Sequence, residues 1–410
     1  MIEIPKFLAP LLNALQEKGA SAVLVGGFVR DSLLGEALKD IDIEVYNIDD
    51  FETMAEILKP FGALNFVGKS FGILKLSTKE FEIDFSLPRL EKKIASGHKG
   101  FEILLDPKLS FQEAAQRRDF TINAMGYDVN SDTFLDPFCG YKDLKNKRLT
   151  YVNKKSFVED PLRVLRAVQF CARFELTCSD ELIELSRSLC ENGAIKELPK
   201  ERIFEELCKL LLKSKKPSRG LTLFETLHLT RYFPEILDKN GMFASLDSFV
   251  NLKTNDDKRD LILMFGLISF HFKNAQEVDE FINKFSNEIE LKKEVQKLYM
   301  YRYSFADMKI LSDYDILLLS TKIKIQDLLL IYEAQGVDIS KIKARASELG
   351  VLTCKPKALL YGRDLIALGL TPSKQFSEIL ESAYDAQLQQ LFQSADEAKI
   401  WLENHLKTIC

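Results

Sequence analysis

The sequence predicts a small α+β domain at the N-terminus, followed by an all-helical remainder. Up to about residue 150, short segments are β-branched or alternate apolar with polar residues, and Gly, Pro or Asp bounds each of them. Beyond residue 156, long segments carry apolar residues three and four positions apart, which is the spacing of an amphipathic helix. The change of period along the chain predicts the fold class.

The predicted elements follow one another in a simple order. The first twenty residues predict a short amphipathic helix. Short segments then predict strands at residues 21–27, 40–46, 71–78 and 80–87. The clearest helical periodicity lies later, at residues 159–174, 201–214, 259–272 and 295–305. Segments that contain Pro or Gly separate these helices.

These breaks predict a small α+β head up to about residue 150, followed by an all-helical body of two or three modules. The chain has 410 residues, which is too many for one ordinary domain of about 100–200 residues.

Composition argues against several kinds of site. The seven cysteines are an odd number without a Cys-x-x-Cys pair, so a zinc ribbon or a disulfide scaffold is not expected, and a reducing cytoplasm fits. The four histidines lie far apart, so a histidine-built metal site is not expected either. No apolar stretch approaches the roughly 18–20 residues of a membrane helix, and the N-terminus lacks the pattern of a secretory signal. We predict a cytoplasmic protein that does not cross a membrane.

The charge of the chain is unevenly distributed. The net charge of −5 does not by itself indicate nucleic acid. However, residues 141–173 carry nine Lys and Arg against three Asp and Glu, and residues 196–219 carry eight against four. A basic middle in an acidic protein suggests one electropositive face. Lysines that merely solvate helices explain these counts equally well.

Acidic residues alternate with apolar ones in the predicted strand KDIDIEVY. The apolar set should face the core, so that Asp40, Asp42 and Glu44 share the other face. Two aspartates at i and i+2 repel one another unless a cation lies between them, and Mg²⁺ prefers carboxylates together with substrate phosphates. Asp84, in the strand EFEIDFSL, completes a three-carboxylate site if the two strands are neighbours. Taken alone, either pattern also fits an amphipathic edge strand with solvated acids.

A glycine pair follows the first predicted strand. Gly26 and Gly27 close the strand, and a short helix containing Arg30 follows. A glycine turn leaves backbone N–H groups free to approach phosphate oxygens, and the start of a helix adds favourable polarity. Arg30 lies just inside that helix, where negative charge would gather. An isolated Gly-Gly is also common in tight turns, and the G-x-G-x-x-G pattern of dinucleotide-binding proteins is not met.

The segment LVGGFVRDSLLG, followed by KDID, resembles the signature of the class II polymerase-β-like nucleotidyltransferases. That branch comprises tRNA CCA-adding enzymes and bacterial poly(A) polymerase. Segments similar to its later motifs occur in the expected order, RRDFTINAM (117–125), DPFCG (136–140), EDPLRVLRA (159–167) and PKERIFEEL (199–207). Residues 359–380 are similar to the tail region of CCA-adding enzymes.

The resemblance implies a seahorse-like protein with four parts, a head (residues 1–150), a helical neck (151–220), a helical body (221–335) and a helical tail (336–410). It also implies that the protein adds C, C and A to the 3′ end of tRNA, from CTP and ATP and without a template. By motif match, Asp40 and Asp42 would hold Mg²⁺. Gly27, Arg30 and Arg118 would contact the triphosphate, beside Gly26 in the same turn. The basic neck and the body would bind the acceptor arm of tRNA through its phosphates.

The segment from Glu159 to Arg173 predicts a helix, and the start of this segment resembles the family's nucleotide-selecting motif. About 100° per residue places Asp160, Arg163 and Arg166 within one polar arc. Cytosine and adenine both offer an amino donor beside a ring-nitrogen acceptor, whereas a carboxylate accepts and a guanidinium donates. Asp160 and Arg163 are therefore the expected base-reading pair, and Arg166 supports them or binds phosphate. A surface ion pair at i and i+3 is the simpler alternative.

Alternative activities remain within this resemblance. The segment 89–101 resembles a loop kept by CCA- and A-adding enzymes, which favours CCA or A addition over CC addition. Poly(A) synthesis shares nearly all these motifs. A non-catalytic RNA-binding protein and a small-molecule nucleotidyltransferase are more distant alternatives. The chain contains no His-Asp dipeptide, so we do not expect the phosphohydrolase activity of some relatives.

Overall fold

A computed structural model describes residues 2–37, 40–67, 72–78, 81–93, 101–305 and 311–409. The chain forms two compact units, Met1–Leu237 and Asp238–Cys410. The predicted segment 89–101 lies partly outside the described residues.

The first unit holds the strands and the first ten helices of the described chain. Its strands are β1 (Ser21–Val25), β2 (Ile41–Tyr46), β3 (Ala63–Val67), β4 (Ile73–Ser77), β5 (Glu82–Ser86), β6 (Arg89–Lys93), β7 (Phe101–Leu105), β8 (Gly126–Asp128), β9 (Thr133–Leu135), β10 (Arg148–Leu149) and β11 (Thr177–Cys178). Its helices are α1 (Ala9–Glu17), α2 (Gly27–Leu34), α3 (Phe51–Leu58), α4 (Phe111–Ala115), α5 (Gly140–Lys145), α6 (Lys154–Glu159), α7 (Leu162–Arg173), α8 (Asp180–Glu191), α9 (Lys200–Lys213) and α10 (Pro217–Thr226).

The regular secondary structure in the described residues of the second unit is all helical. Its helices are α11 (Met242–Phe249), α12 (Asp257–Ser269), α13 (Ala275–Asn283), α14 (Ile289–Met300), α15 (Asp313–Ser320), α16 (Ile325–Ala334), α17 (Ser340–Glu348), α18 (Gly362–Ala367), α19 (Lys374–Leu388) and α20 (Ala395–Ile409). Phe265, Phe281 and Phe285 are buried and meet in tilted and edge-to-face contacts, the geometry that aromatic rings prefer.

The main sheet of the first unit has the strand order β3-β4-β5-β2-β1-β8-β9. β2 lies near its centre, antiparallel to β1 and parallel to β5. On β2, the apolar side chains of Ile41, Ile43 and Val45 are buried, because strand side chains alternate between the two faces. A parallel pair needs a long connection, and α3, β3 and β4 supply it between β2 and β5.

The turn between β1 and α2 requires glycine. Gly26 has φ 64° and ψ −119°, which a residue with a Cβ atom seldom adopts. α2 begins at Gly27, at the end of β1, and its first backbone N–H groups therefore lie at the edge of the sheet.

The fold class is the one that the sequence predicts, and the four predicted strands are present. The prediction of one helix from Glu159 to Arg173 is wrong at its start. α6 ends at Glu159, Asp160 is extended with φ −123° and ψ 95°, and α7 begins at Leu162. The cause is Pro161, because a proline disfavours helical geometry in the residue before it.

The predicted four-part division is finer than the two units of the structure. The proposed boundary at residue 220 falls inside α10 (Pro217–Thr226), and α10 packs against α7. The boundaries at 150 and 335 fall between elements and stay predictions. No helix among the described residues is long and apolar enough to span a membrane.

Candidate active site

Asp42 and Asp84 lie opposite one another in the parallel pair formed by β2 and β5. The adjacency that the three-carboxylate hypothesis requires is therefore present. Asp40 is exposed and immediately precedes β2. Burial raises the pKa of Asp42, the guanidinium of Arg118 opposes that shift, and the carboxylates of Asp84 and Asp40 add to it. Negative charge thus accumulates at this place in the sheet.

Asp84 differs from Asp42 because it has a nearby ammonium group. Burial raises the pKa of Asp84, and Lys75 opposes the shift. The Nζ of Lys75 lies 3.7 Å from Oδ1 of Asp84 and 3.2 Å from Oε2 of Glu82. The described residues contain no ready-made cluster of three metal-ligating side chains. Two carboxylates that provide only oxygen ligands nevertheless suit a hard divalent cation that takes its remaining ligands from phosphates and water.

The glycine turn lies against Arg118. A Cβ atom on Gly26 would come within 2.8 Å of Nη1 of Arg118, so the missing side chain makes room for the guanidinium. The same Nη1 donates to the carbonyl of Asn123 at 3.3 Å, which holds it beside the turn. A cation therefore lies next to the N-terminus of α2, where free backbone N–H groups favour an anion.

Arg30 lies in the first turn of α2, as the sequence predicts, and its side chain is buried. It is 5% exposed, its Nη2 lies 2.7 Å from Asp31, and its Nη1 donates to Oδ1 of Asn123. Its guanidinium carbon lies 4.4 Å from the ring centroid of Phe174 and 5.3 Å from that of Phe170. Arg30 thus joins α2 to α7. The predicted contact of Arg30 with a triphosphate stays a prediction.

Glu44 is the third acid of β2, and it is completely buried. Oε1 of Glu44 lies 2.9 Å from Nη2 of Arg117. Its Oε2 lies 4.0 Å from Nη2 of Arg118 and accepts a hydrogen bond from the hydroxyl of Tyr46 at 2.7 Å. Burial alone would raise the pKa of Glu44, but the two guanidiniums and the hydroxyl hold it below its ordinary value. The carboxyl is therefore ionised at neutral pH.

Arg166 faces Asp119 and Glu206. Its Nε donates to Oδ2 of Asp119 at 2.7 Å, and its Nη1 lies 3.6 Å from Oε1 of Glu206. Oδ1 of Asp119 accepts from the backbone of Phe120 and from Nδ2 of Asn123. The role predicted for Arg166, which is to support Asp160 and Arg163 or to bind phosphate, stays a prediction. Arg166 holds the segment 117–125 against α7 and α9.

Asp160 and Arg163 line a cleft of about 410 Å³, together with Arg117 and Arg202. Nη1 and Nη2 of Arg202 donate to the two oxygens of Asp160 at 3.3 and 3.0 Å. Arg163 donates to Oγ of Ser156 and to the carbonyl of Arg117. The simple ion pair between neighbours on one helix is therefore not the arrangement adopted, because Asp160 lies outside α7 and pairs with α9.

The cleft and the carboxylates are adjacent regions of the first unit. Neither Asp42 nor Asp84 is among the described residues that line the cleft. Arg117 connects the two regions, because it lines the cleft and binds Glu44, two positions after Asp42 on β2. A phosphate group at the Gly26 turn would thus lie beside the guanidinium of Arg118, which also acts on Asp42, and Arg117 next to it in the chain lines the cleft.

Sequence reasoning missed three residues of this site. Arg117 precedes the predicted Arg118, Arg202 lies in the segment PKERIFEEL, and Glu44 lies in the predicted strand. Each was inside a recognised segment. A signal was available for Glu44, because a carboxylate on a central strand needs a cation when it is buried.

Two family models match the chain. Residues 22–150 match the poly A polymerase head domain. Residues 180–239 match the probable RNA and SrmB-binding site of polymerase A.

The curated relatives are similar over part of their length. The chain is 37% identical over 214 residues to the multifunctional CCA protein of Chromobacterium violaceum, which is 52% of this chain and 50% of that protein. It is 38% identical over 213 residues to the protein of the same name from Nitrosomonas europaea, which is 52% of this chain and 49% of that protein. The chain thus spans about half the length of the curated relatives it matches.

Solved structures resemble the chain over nearly its whole length. The Bacillus stearothermophilus CCA-adding enzyme in complex with CTP has a TM-score of 0.78 at 20% identity, covering 99% of each chain. The Thermotoga maritima CCA-adding enzyme complexed with tRNA has a TM-score of 0.71 at 23% identity, covering 99% of this chain and 97% of that chain. The chain is therefore similar to the poly A polymerase head-domain family over residues 22–150, and as a whole it has the fold of the CCA-adding enzymes.

Proposed function

We propose that the chain adds C, C and A to the 3′ end of tRNA, using CTP and ATP and releasing pyrophosphate. The observation that carries this proposal is the register of β2 and β5, in which Asp42 stands opposite Asp84. The relatives named multifunctional CCA protein, and the CCA-adding enzymes with the same fold, support this choice of activity.

The head-domain family implies the use of a divalent metal ion, and we propose Mg²⁺. Asp40 and Asp42 are the proposed oxygen ligands. Burial is the main cause of the raised pKa of Asp42, and the carboxylates of Asp84 and Asp40 raise it further, a repulsion that a divalent ion would relieve. When bound, divalent ions activate the attacking hydroxyl and stabilise the leaving pyrophosphate. Asp84, which Lys75 partly neutralises, contributes charge to the same site and is the third catalytic acid of the proposal.

Gly26, Gly27 and Arg118 are proposed to bind the triphosphate. The backbone N–H groups at the start of α2 are donors for phosphate oxygens. Arg118 lies across the turn and adds a guanidinium, which forms stronger hydrogen bonds to phosphate than a neutral donor does.

Asp160 and Arg163 are proposed to read the base in the cleft. The carboxylate accepts from the amino group of cytosine or adenine, and the guanidinium donates to the adjacent ring nitrogen. Uracil and guanine present the opposite order of donor and acceptor along that edge, so the pair rejects them. Arg202 leaves acceptor capacity on Asp160, since an ionised carboxylate has about four lone-pair sites.

The proposed nucleic-acid partner is the acceptor arm of tRNA, and the proposed compartment is the cytoplasm. Basic residues are abundant in 141–173 and 196–219 and would contact backbone phosphates. Recognition by shape and phosphate contacts suits a substrate whose arm sequence varies. The match of residues 180–239 to an RNA-binding model supports this assignment.

Addition of A alone and poly(A) synthesis are the competing activities, and the name of the head-domain family favours the second of these. Product length separates them. The protein is incubated with tRNAs that end before CCA, after the first C or after CC, with CTP, ATP or both. CCA addition predicts extension by three, two and one nucleotides when both are present. Extension of only the CC-ended tRNA would indicate A addition, and a long A ladder would indicate polyadenylation.

A further inference from the structure

Glu44 follows Asp40 and Asp42 in the alternating pattern of β2, yet its surroundings are different. Asp40 is exposed and Asp42 is partly buried, whereas Glu44 is 0% exposed. A buried carboxylate is costly unless cations and hydrogen bonds compensate it. Glu44 therefore differs in exposure from Asp40 and Asp42, the two acids proposed to bind metal.

The compensation comes mainly from one segment of the chain. Arg117 and Arg118 lie two and three positions after the end of α4, and both direct a guanidinium at Glu44, with nitrogen–oxygen distances of 2.9 and 4.0 Å. The hydroxyl of Tyr46, on the same strand, donates to the second oxygen at 2.7 Å. One buried anion thus orients two consecutive cations.

The two arginines reach different parts of the site. Arg118 lies against the Gly26 turn, while Arg117 lines the cleft that contains Asp160. The carbonyl of Arg117 also accepts a hydrogen bond from Arg163. Glu44 is therefore the point where the phosphate-binding turn and the base-reading cleft share a partner.

We propose that Glu44 is a positioning residue, which holds Arg118 beside the Gly26 turn in the orientation that binds the phosphate chain of the incoming nucleotide and holds Arg117 at the adjoining cleft. The inference rests on the proposed function, because it takes a nucleoside triphosphate as the ligand. Glu44 itself touches neither metal nor nucleotide. Its role is to keep two flexible guanidiniums ordered before the nucleotide arrives, so that less conformational entropy is lost on binding.

Two possible roles of Glu44, setting the local charge and positioning the arginines, predict opposite changes in the affinity for CTP when Glu44 is replaced by glutamine. Glu44, Arg117 and Arg118 together carry one net positive charge, and the substitution raises it to two. If charge alone mattered, CTP would bind more tightly to the variant. If positioning matters, CTP binds more weakly, by about tenfold, because glutamine cannot pair with both guanidiniums. The sign of the change in the CTP dissociation constant decides between them.

The number of phosphates provides the second readout. Binding of CTP and of CMP is measured by calorimetric titration with the full chain in the presence of Mg²⁺. We expect Glu44→Gln to weaken CTP binding and to change CMP binding less than about twofold, because CMP lacks the β- and γ-phosphates. General loosening of the head would weaken both ligands equally, and that result would overturn the proposal.

The control is Glu52→Gln, the same chemical change at an exposed position in the first turn of α3, which should leave both affinities unchanged.

If Glu44→Gln does not fold, Tyr46→Phe replaces it. This variant removes one hydrogen bond from Glu44 without changing charge, and it should weaken CTP binding about two- to threefold. Unchanged or tighter CTP binding in the folded variant overturns the inference. If the proposed function itself is wrong, the wild-type chain does not bind CTP in the same titration, and this result is distinct from weaker binding by the variant alone.

Discussion

The carboxylate of Asp160 is held by the guanidinium of Arg202, through two hydrogen bonds of 3.3 and 3.0 Å. Asp160 is the extended residue between α6 and α7, and Arg202 belongs to the first turn of α9. A residue outside regular structure thus obtains a defined orientation from a neighbouring helix. If Asp160 reads the base, selectivity depends on this pair.

The first prediction concerns Arg202. Arg202→Met removes both hydrogen bonds and leaves the backbone N–H of Leu162, 3.2 Å from Oδ1, to orient the carboxylate of Asp160. We expect the preference for CTP over UTP to fall about tenfold, because one well-placed polar contact contributes about 1–3 kcal/mol of discrimination. The ratio of kcat/KM for CTP and UTP is the measurement. Arg202→Lys should give a partial loss, since lysine keeps the charge but not the planar fork. An unchanged ratio in Arg202→Met would exclude this role.

The second prediction concerns Asp160 itself. Asp160→Ala removes the acceptor for the amino group, so UTP and GTP should be incorporated more readily relative to CTP and ATP. The Mg²⁺ concentration that gives half-maximal activity should change little, because neither Asp40 nor Asp42 is among the described residues that line the cleft with Asp160. Glu184→Ala, at an exposed position on α8, is the matched control. Retained CTP and ATP preference in Asp160→Ala would contradict the assignment.

The third prediction concerns stability at acid pH. Burial alone would raise the pKa of Asp119, but Arg166, Asn123 and Arg163 outweigh it and hold the pKa below its ordinary value. The ionised form is therefore favoured by folding, and its contribution is complete above about pH 4, the ordinary range of an aspartate. It is lost as the pH falls through the lower folded-state pKa.

Asp119→Asn should consequently lower the free energy of unfolding at pH 7 by about 3 kcal/mol, the lower end for breaking a buried pair, since Arg166 is partly exposed. The difference from wild type should shrink as the pH approaches 3. Denaturant unfolding of the head at several pH values measures both effects. A difference that stayed constant with pH would show that charge is not its cause.

The fourth prediction concerns Arg30, which lies over the rings of Phe170 and Phe174. Arg30→Met leaves Asp31 without its closest cation and separates α2 from α7. We expect the free energy of unfolding to fall by about 2–4 kcal/mol, while the dissociation constant of CTP changes less than about threefold, a shift below 0.7 kcal/mol. A large loss of CTP affinity with unchanged stability would instead support the phosphate contact predicted from the sequence.

Sequence periodicity was sufficient for the fold class and for the strands that carry the carboxylates. The alternation in residues 40–46 and 80–87 predicted which side chains share a face. It could not predict that β5 lies beside β2, because strands 40 residues apart pair through tertiary packing. The register that sets Asp42 opposite Asp84 became visible only in the structure.

Other differences have local causes. The helical pattern of residues 159–173 was interrupted by Pro161, whose effect on Asp160 is a backbone rule that periodicity ignores. The burial of Arg30 depends on two phenylalanines more than a hundred positions away. Glu44 looked like another member of an acidic face, and only its contacts with Arg117 and Arg118 reveal its different environment.

The most direct test of the central claim compares wild type with Asp42→Asn in the first addition of C to a tRNA that lacks its 3′ CCA. The single-turnover rate with saturating CTP and Mg²⁺ is measured, together with the CTP dissociation constant. If Asp42 lies at the reaction centre, the rate falls by about 10²–10³-fold, as when one stabilising group of a reaction centre is removed, and the folded variant still binds CTP. Transfer by Asp42→Asn at the wild-type rate would contradict it.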